Sequence, residues 1–251
     1  MNERRIGLLA PYRELPGELT DVVAAAPEPA LLWQVVTVAA DSHELADLRE
    51  TGSDAALLDG LERLRRWRPS VVSFACTSGS FVAGREGALA QVETMERAAG
   101  VPATSTSLAF VEALAALSLS DVALLSPYPR PATDALVGFL AEWGVTVRCS
   151  TALGCPGGRE SERLGAAEID SALAALDPAL PTILPDTAVW GLAIQREVAA
   201  RQPGLLLVAN QVTLWNAFDL AGMSTDVAHF GPLAGLRGPG LATTSARPGG
   251  I

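Results

Sequence analysis

A thiol, two hydroxyls and a glycine follow one another in Cys76-Thr77-Ser78-Gly79-Ser80-Phe81-Val82-Ala83-Gly84, directly after the apolar run Val71-Val72-Ser73-Phe74-Ala75. A thiolate is a strong nucleophile, but an ordinary thiol is only a few per cent ionised at neutral pH and needs a base or a helix end to act. The apolar run reads as a buried strand that delivers Cys76 to the carboxyl edge of a sheet, where open α/β proteins keep their ligands. Residues 85–99 have helical composition and spacing. A helix there is predicted to aim its free N–H groups and positive end at whatever lies over the sulfur, which suits an anionic ligand. Each residue also has a plainer reading. Free cysteines are commonly small buried hydrophobes, and Thr77, Ser78 and Ser80 can simply cap the helix that follows.

The elements that must position this loop are legible as apolar runs alternating with amphipathic stretches. Strands are predicted near 5–10, 31–38, 71–75, 121–126, 145–149, 181–184 and 205–209, and helices near 53–67, 107–117, 131–143, 166–176, 189–200 and 211–220. Alternation of strand and helix means a parallel sheet. The pattern is bipartite: one set of strands ends near Val101-Pro102, a turn follows at 104–107, and a second set runs to Ala209. Residues 1–103 with 211–251 are expected to form a first α/β domain carrying Cys76, and residues 104–210 a second carrying Tyr128 and Asp186. The glycine- and proline-rich stretch from Gly235 has little apolar content and is expected not to pack.

Composition narrows the function classes. The 251 residues are 49% hydrophobic with a net charge of −10, and Arg63-Leu64-Arg65-Arg66 shares its helix with Asp59 and Glu62. Nucleic acid and anionic membranes are therefore poor partners. No apolar run approaches the roughly 18 residues of a membrane span, and the run after Glu3-Arg4-Arg5 is too short for a signal peptide, so the cytoplasm is the expected compartment. Three cysteines argue against a disulfide framework, and only two histidines, His43 and His229, against a histidine-based metal site; no metal is expected. Cys149 and Cys155 match no metal-binding spacing and read as incidental. No GxGxxG fingerprint supports a nicotinamide or flavin site.

The loop from Cys76 to Phe81 with Gly84 resembles the nucleophile loop of the maleate cis-trans isomerases, which share a superfamily with arylmalonate decarboxylases and aspartate/glutamate racemases. Further matches fall in order along the chain. Arg5-Ile6-Gly7-Leu8-Leu9-Ala10-Pro11 is similar to the first strand and substrate loop. Leu125-Ser126-Pro127-Tyr128 is similar to the segment that supplies a tyrosine hydroxyl to a substrate carboxylate. Ala209-Asn210-Gln211, with Trp215 and Leu220-Ala221-Gly222, is similar to the closing motif.

The resemblance implies two similar doubly wound parallel-sheet domains related by a pseudo-twofold axis, with the active site between them. It also implies no cofactor and a homo-oligomer, dimer or tetramer. In the isomerases the first-half cysteine attacks the alkene, the adduct rotates about the former double bond, and elimination releases the trans acid. The decarboxylases keep only the second-half cysteine, which protonates an enediolate; the racemases use both.

Here the second-half position falls in Ile183-Leu184-Pro185-Asp186-Thr187, so Asp186 stands where the family has a cysteine, which argues against racemisation. The first loop departs too, reading Tyr12-Arg13-Glu14-Leu15-Pro16 without the asparagine of maleate isomerases. Asp186 can be an ordinary helix cap. As a carboxylate facing a thiolate and an anionic substrate it would be repelled, unless it is protonated or its neighbour is not an anion. As a neutral acid it can give a proton to a carbanion; charged, it can anchor an amine or take the proton of Cys76.

The expected activity is a cofactor-independent, maleate isomerase-like conversion of a small unsaturated carboxylic acid. Cys76 and Asp186 are the candidate catalytic residues, and Pro11, Thr77, Ser78, Tyr128, Thr187 and Asn210 the candidate substrate contacts. A decarboxylase or other lyase acting through an enediolate is the first alternative, and a catalytically silent metabolite-binding relative the second.

Overall fold

The structure, a computed structural model, describes residues 4–11, 15–36, 40–199 and 204–241. Eight strands are present: β1 (Arg4–Ala10), β2 (Ala30–Val36), β3 (Val71–Phe74), β4 (Ala103–Ser105), β5 (Asp121–Ser126), β6 (Thr146–Ala152), β7 (Thr182–Leu184) and β8 (Leu206–Val208). They form two four-stranded parallel sheets, ordered β2-β1-β3-β4 and β6-β5-β7-β8. The second order repeats the first, so β3 and β7 occupy equivalent places. Their central strands are fully buried: every residue of β3 and β7 is inaccessible or nearly so, as the unbroken apolar runs required.

Most elements stand where periodicity put them, with three instructive differences. Residues 103–105, expected to open a turn, pair with Val72, Ser73 and Phe74 as β4. The first sheet therefore runs two residues past the expected division at 103/104. Ala-Thr-Ser lacks the branched apolar run that marks a strand, because its side chains serve polar contacts: Thr104 Oγ1 donates to Asn216 Oδ1 at 2.6 Å. The stretch after Gly235, expected not to pack, is docked as far as Gly240, and residues 242–251 lie outside the described residues. Arg237 pairs with Asp219 at 2.8 Å, Gly238 N–H donates to the same carboxylate, Gly240 N–H donates to Glu112, and the Leu236 carbonyl accepts from Trp215 and Thr225. Polar bonds, invisible to an apolar count, hold it.

The third difference concerns the helix after Cys76. The long helix begins at Gly84, whose φ of +69° breaks the chain direction, and a separate short turn, Ser78–Phe81, comes first. The long helix spends its opening N–H elsewhere, Arg85 N–H donating to Glu142. Its positive end thus serves a surface carboxylate, and the short turn alone faces the sulfur.

The two halves are tied by paired helices, Thr106–Ala116 and Ala209–Leu220, both almost wholly buried. Thr106 and Thr213 share a hydrogen bond of 2.7 Å between them. Among the described residues no helix is long and apolar enough to cross a membrane.

Candidate active site

The chain leaves the first sheet abruptly at the end of β3. Ala75 N–H still donates to Leu9 in the ladder, but Cys76 N–H turns back to Phe74 O at 2.8 Å. The thiol is thereby left at the carboxyl edge of the sheet, two residues past the strand. Asp186 lies two residues past the end of β7, the equivalent strand, so the repeated topology places Cys76 and Asp186 in matching positions. Thr77 and Thr187 match in the same way. Three of them, Asp186, Thr77 and Thr187, stitch the two strand ends together with Ala75. Asp186 N–H donates to Thr77 Oγ1 at 3.2 Å, and Thr187 Oγ1 donates to the Ala75 carbonyl at 3.0 Å.

The Cys76 loop is braced from behind. Gln91 Nε2 donates to Gly52 O at 2.7 Å and Gly79 O at 3.0 Å, and Ser80 Oγ bonds to Ser107 Oγ. Gly52 has to be glycine for this contact, since a Cβ there would fall 2.0 Å from Gly79 O. Gly79 N–H in turn donates to Cys76 Sγ at 3.3 Å, and Ser78 Oγ lies 3.7 Å from the sulfur. These donors favour a thiolate. Burial and the Asp186 charge oppose it, and burial wins: the thiol is pushed up to about 11. At rest Cys76 is therefore a neutral thiol, and at 3% exposure it is also covered. A substrate reaches Sγ only by displacing part of that cover.

Asp186 adopts φ +87°, a left-handed conformation that costs a non-glycine residue about 1–3 kcal/mol. Its Oδ1 accepts from Ala188 N–H at 3.0 Å, while buried Oδ2 has no hydrogen-bond partner. Burial raises its pKa above the usual carboxylate range, partly offset by His43 and the nearby Ser161 hydroxyl. The carboxyl thus caps the next residues, and its charge acts on the Cys76 thiol.

Hydrogen-bond accounting sorts the expected substrate contacts. Tyr128 OH is fully buried and unpartnered, close to the Thr77 and Ser78 hydroxyls and within the field of Cys76 and Asp186, and burial holds its pKa well above normal. Thr77 accepts from Asp186 and keeps its own proton to donate. These two hydroxyls, with Ser78, can hold a carboxylate. Thr187 has spent its proton on Ala75. Asn210 has spent its amide N–H groups on Glu18 at 2.7 Å and on the carbonyls of Thr187 and Val189 at 3.2 and 3.3 Å. Both side chains brace the Asp186 loop, with their donors engaged inside the protein. Pro11, half-buried, follows β1 at the same carboxyl edge. Of the departing first loop, residues 12–14 lie outside the described residues.

Sequence reasoning missed His43. It was weighed only as a metal ligand, yet it sits buried with Nε2 3.6 Å from Asp186 Oδ2 and its ring edge-on to Tyr128, centroids 4.8 Å apart. No local motif marks it. Its partners are 112 and 143 positions away in the chain or bind through backbone atoms, as Cys155 does through its carbonyl. Cys149 lies half-buried on β6. His229 lines a shallow depression of about 200 Å³ with Leu192 and Arg196, apart from this cluster.

Comparison with known proteins agrees with the fold. A family model described as arylmalonate decarboxylase matches residues 21–231. The chain is 28% identical over 200 residues to arylmalonate decarboxylase of Bordetella bronchiseptica, covering 77% of this chain and 83% of that one. Its fold matches a maleate isomerase from Pseudomonas putida S16 with maleate at a TM-score of 0.84, 17% identity and coverage of 91% and 96%. A Nocardia farcinica maleate cis-trans isomerase mutant with a covalently bound succinylcysteine intermediate matches at 0.83, with 19% identity and coverage of 91% and 96%. A double mutant of arylmalonate decarboxylase in the liganded form matches at 0.75, with 24% identity and coverage of 87% and 93%.

Proposed function

The chain belongs to the arylmalonate decarboxylase family, and within it we propose a cofactor-independent isomerase of a small unsaturated carboxylic acid that uses Cys76 as covalent nucleophile. One observation carries this reading. The thiol stands at the end of β3, with Gly79 N–H on its sulfur, and the Asp186 loop is bonded to the adjacent Thr77. A neighbour of the same fold holds a covalent succinylcysteine, the product of a thiol adding across such an alkene.

The chemistry follows from the groups present. Thr77, Ser78 and Tyr128 hydroxyls hold a substrate carboxylate. Because Cys76 begins as a neutral thiol, a base must take its proton as Sγ bonds to one alkene carbon, and that role falls to Asp186 as a carboxylate. The π pair moves onto the adjacent carbon and its carboxylate as an enediolate. Asp186 then returns the proton to that carbon, leaving a saturated thioether free to rotate about the new single bond. In reverse, Asp186 removes a proton from the same carbon, the double bond re-forms in the trans geometry, and the thiolate departs and is reprotonated. A raised carboxyl pKa suits a group that must both accept and donate near neutral pH.

A second reading, decarboxylation through an enediolate protonated by Cys76, is favoured by the family match and the Bordetella relative. Incubation with maleate and, separately, with phenylmalonate, followed by proton NMR, separates the two. Fumarate supports isomerisation; phenylacetate supports decarboxylation. Wild-type turnover by Cys76→Ser on either substrate would overturn thiol catalysis in both forms.

A further inference from the structure

His43 is fixed through its ring Nδ1 and through its backbone N–H. Nδ1 lies 2.8 Å from the Cys155 carbonyl, and His43 N–H donates to Pro156 O at 2.8 Å, so the first half's loop is pinned to the second half. Asp41 adds to the same clamp, its carboxylate accepting from Gly158 N–H at 2.7 Å. A carbonyl only accepts, so Nδ1 must carry a hydrogen. A neutral ring would then turn the bare lone pair of Nε2 toward Asp186 Oδ2, 3.6 Å away and otherwise unpartnered. Two lone pairs facing each other in a buried site repel, and a single proton on either atom converts that repulsion into attraction.

We infer that His43 is a positioning residue that holds one proton against the Asp186 carboxyl and so sets the charge that Cys76 and the substrate meet. For its catalytic consequence this rests on the role given to Asp186 above. The other titratable groups facing that carboxyl are Cys76, Tyr128, Cys155 and Asp41, none of which brings positive charge. His43 is thus the compensating group. With the proton in place the pair is neutral overall, so an anionic substrate can enter beside an acidic residue. The clamp on Nδ1 keeps the ring from turning its N–H away. An ionised aspartate at this buried position needs such a partner, because burial penalises its charge.

Two measurements on the intact protein test this without turnover. Long-range proton–nitrogen correlation at pH 7, with carbon detection of the Asp186 carboxyl, should place a hydrogen on His43 Nδ1 and one more on the pair. An unprotonated Nδ1, or a neutral ring beside an ionised Asp186, overturns the inference. The second is a double-variant cycle on Cys76 alkylation by iodoacetamide at pH 8, read at the Cys76 peptide by mass spectrometry. His43→Gln leaves the Asp186 charge uncompensated and should slow alkylation about threefold or more. In an Asp186→Asn background the same change should have little effect. Equal effects in both backgrounds, or none in the native one, overturn the inference. If His43→Gln does not fold, the spectroscopic result decides. A negative outcome in either leaves the isomerase reading standing, since that reading is tested by product formation.

Discussion

Replacing Asp186 with glycine should abolish turnover while leaving the protein as stable as before, or more so. The gains can be worked from the site. Relief of the left-handed φ of +87° returns about 1–3 kcal/mol, and removal of the buried, unpartnered Oδ2 returns about 1–3 kcal/mol of desolvation. Against this, the Ala188 N–H loses its acceptor, costing about 1–3 kcal/mol, and the unfolded chain gains freedom worth about 1 kcal/mol. Taken at their midpoints these terms leave a gain of about 1 kcal/mol. Urea unfolding of wild type and Asp186→Gly at pH 7, beside fumarate formation from maleate, measures both quantities. A loss of more than about 1 kcal/mol with activity retained would refute the reasoning. It would make Asp186 a structural cap and nothing more.

Three further outcomes follow. Alkylation of Cys76 should rise about tenfold per pH unit from 8 to 10, because a thiol pushed up to about 11 is only about 0.1% ionised at pH 8; a plateau below pH 9 in the rate at the Cys76 peptide contradicts that. Thr187→Val should cost about 1–3 kcal/mol by urea unfolding, since it keeps the shape but strips the buried Ala75 carbonyl of its cross-half partner. Glu18, buried against Asn210 and Ala193, has its pKa raised by desolvation above the usual 4.5. It binds a proton more readily folded than unfolded, so its contribution is complete below pH 4.5 and is lost as pH rises through the folded value. Glu18→Gln should therefore flatten the fall of unfolding free energy with pH just above 4.5; an unchanged slope between pH 5 and 7 would remove Glu18 from that role.

How far the sequence reached depended on which force placed each residue. β1, β3, β5 and β7 were legible because burial on both faces demands continuous apolar runs. Cys76 was legible because it terminates one of them, and Asp186 because the resemblance puts a cysteine at its position. β4 was hidden, since Thr104 is there to hydrogen-bond Asn216. His43 was hidden for a related reason. Its function comes from a backbone carbonyl and a carboxyl that only the packing of two halves brings to it, and a single histidine after an edge strand carries no periodic signal. The bracing by Thr187 and Asn210 needed a count of donors and acceptors, which motif similarity cannot supply.

The central claim is that Cys76 sulfur bonds to the substrate during turnover. Acid quenching of the protein with maleate, followed by peptide mass spectrometry, should find the Cys76 peptide heavier by one maleate. Cys76→Ser should give neither the adduct nor fumarate. Steady turnover of maleate with an unmodified Cys76 peptide, and a Cys76→Ser protein as active as wild type, would contradict it.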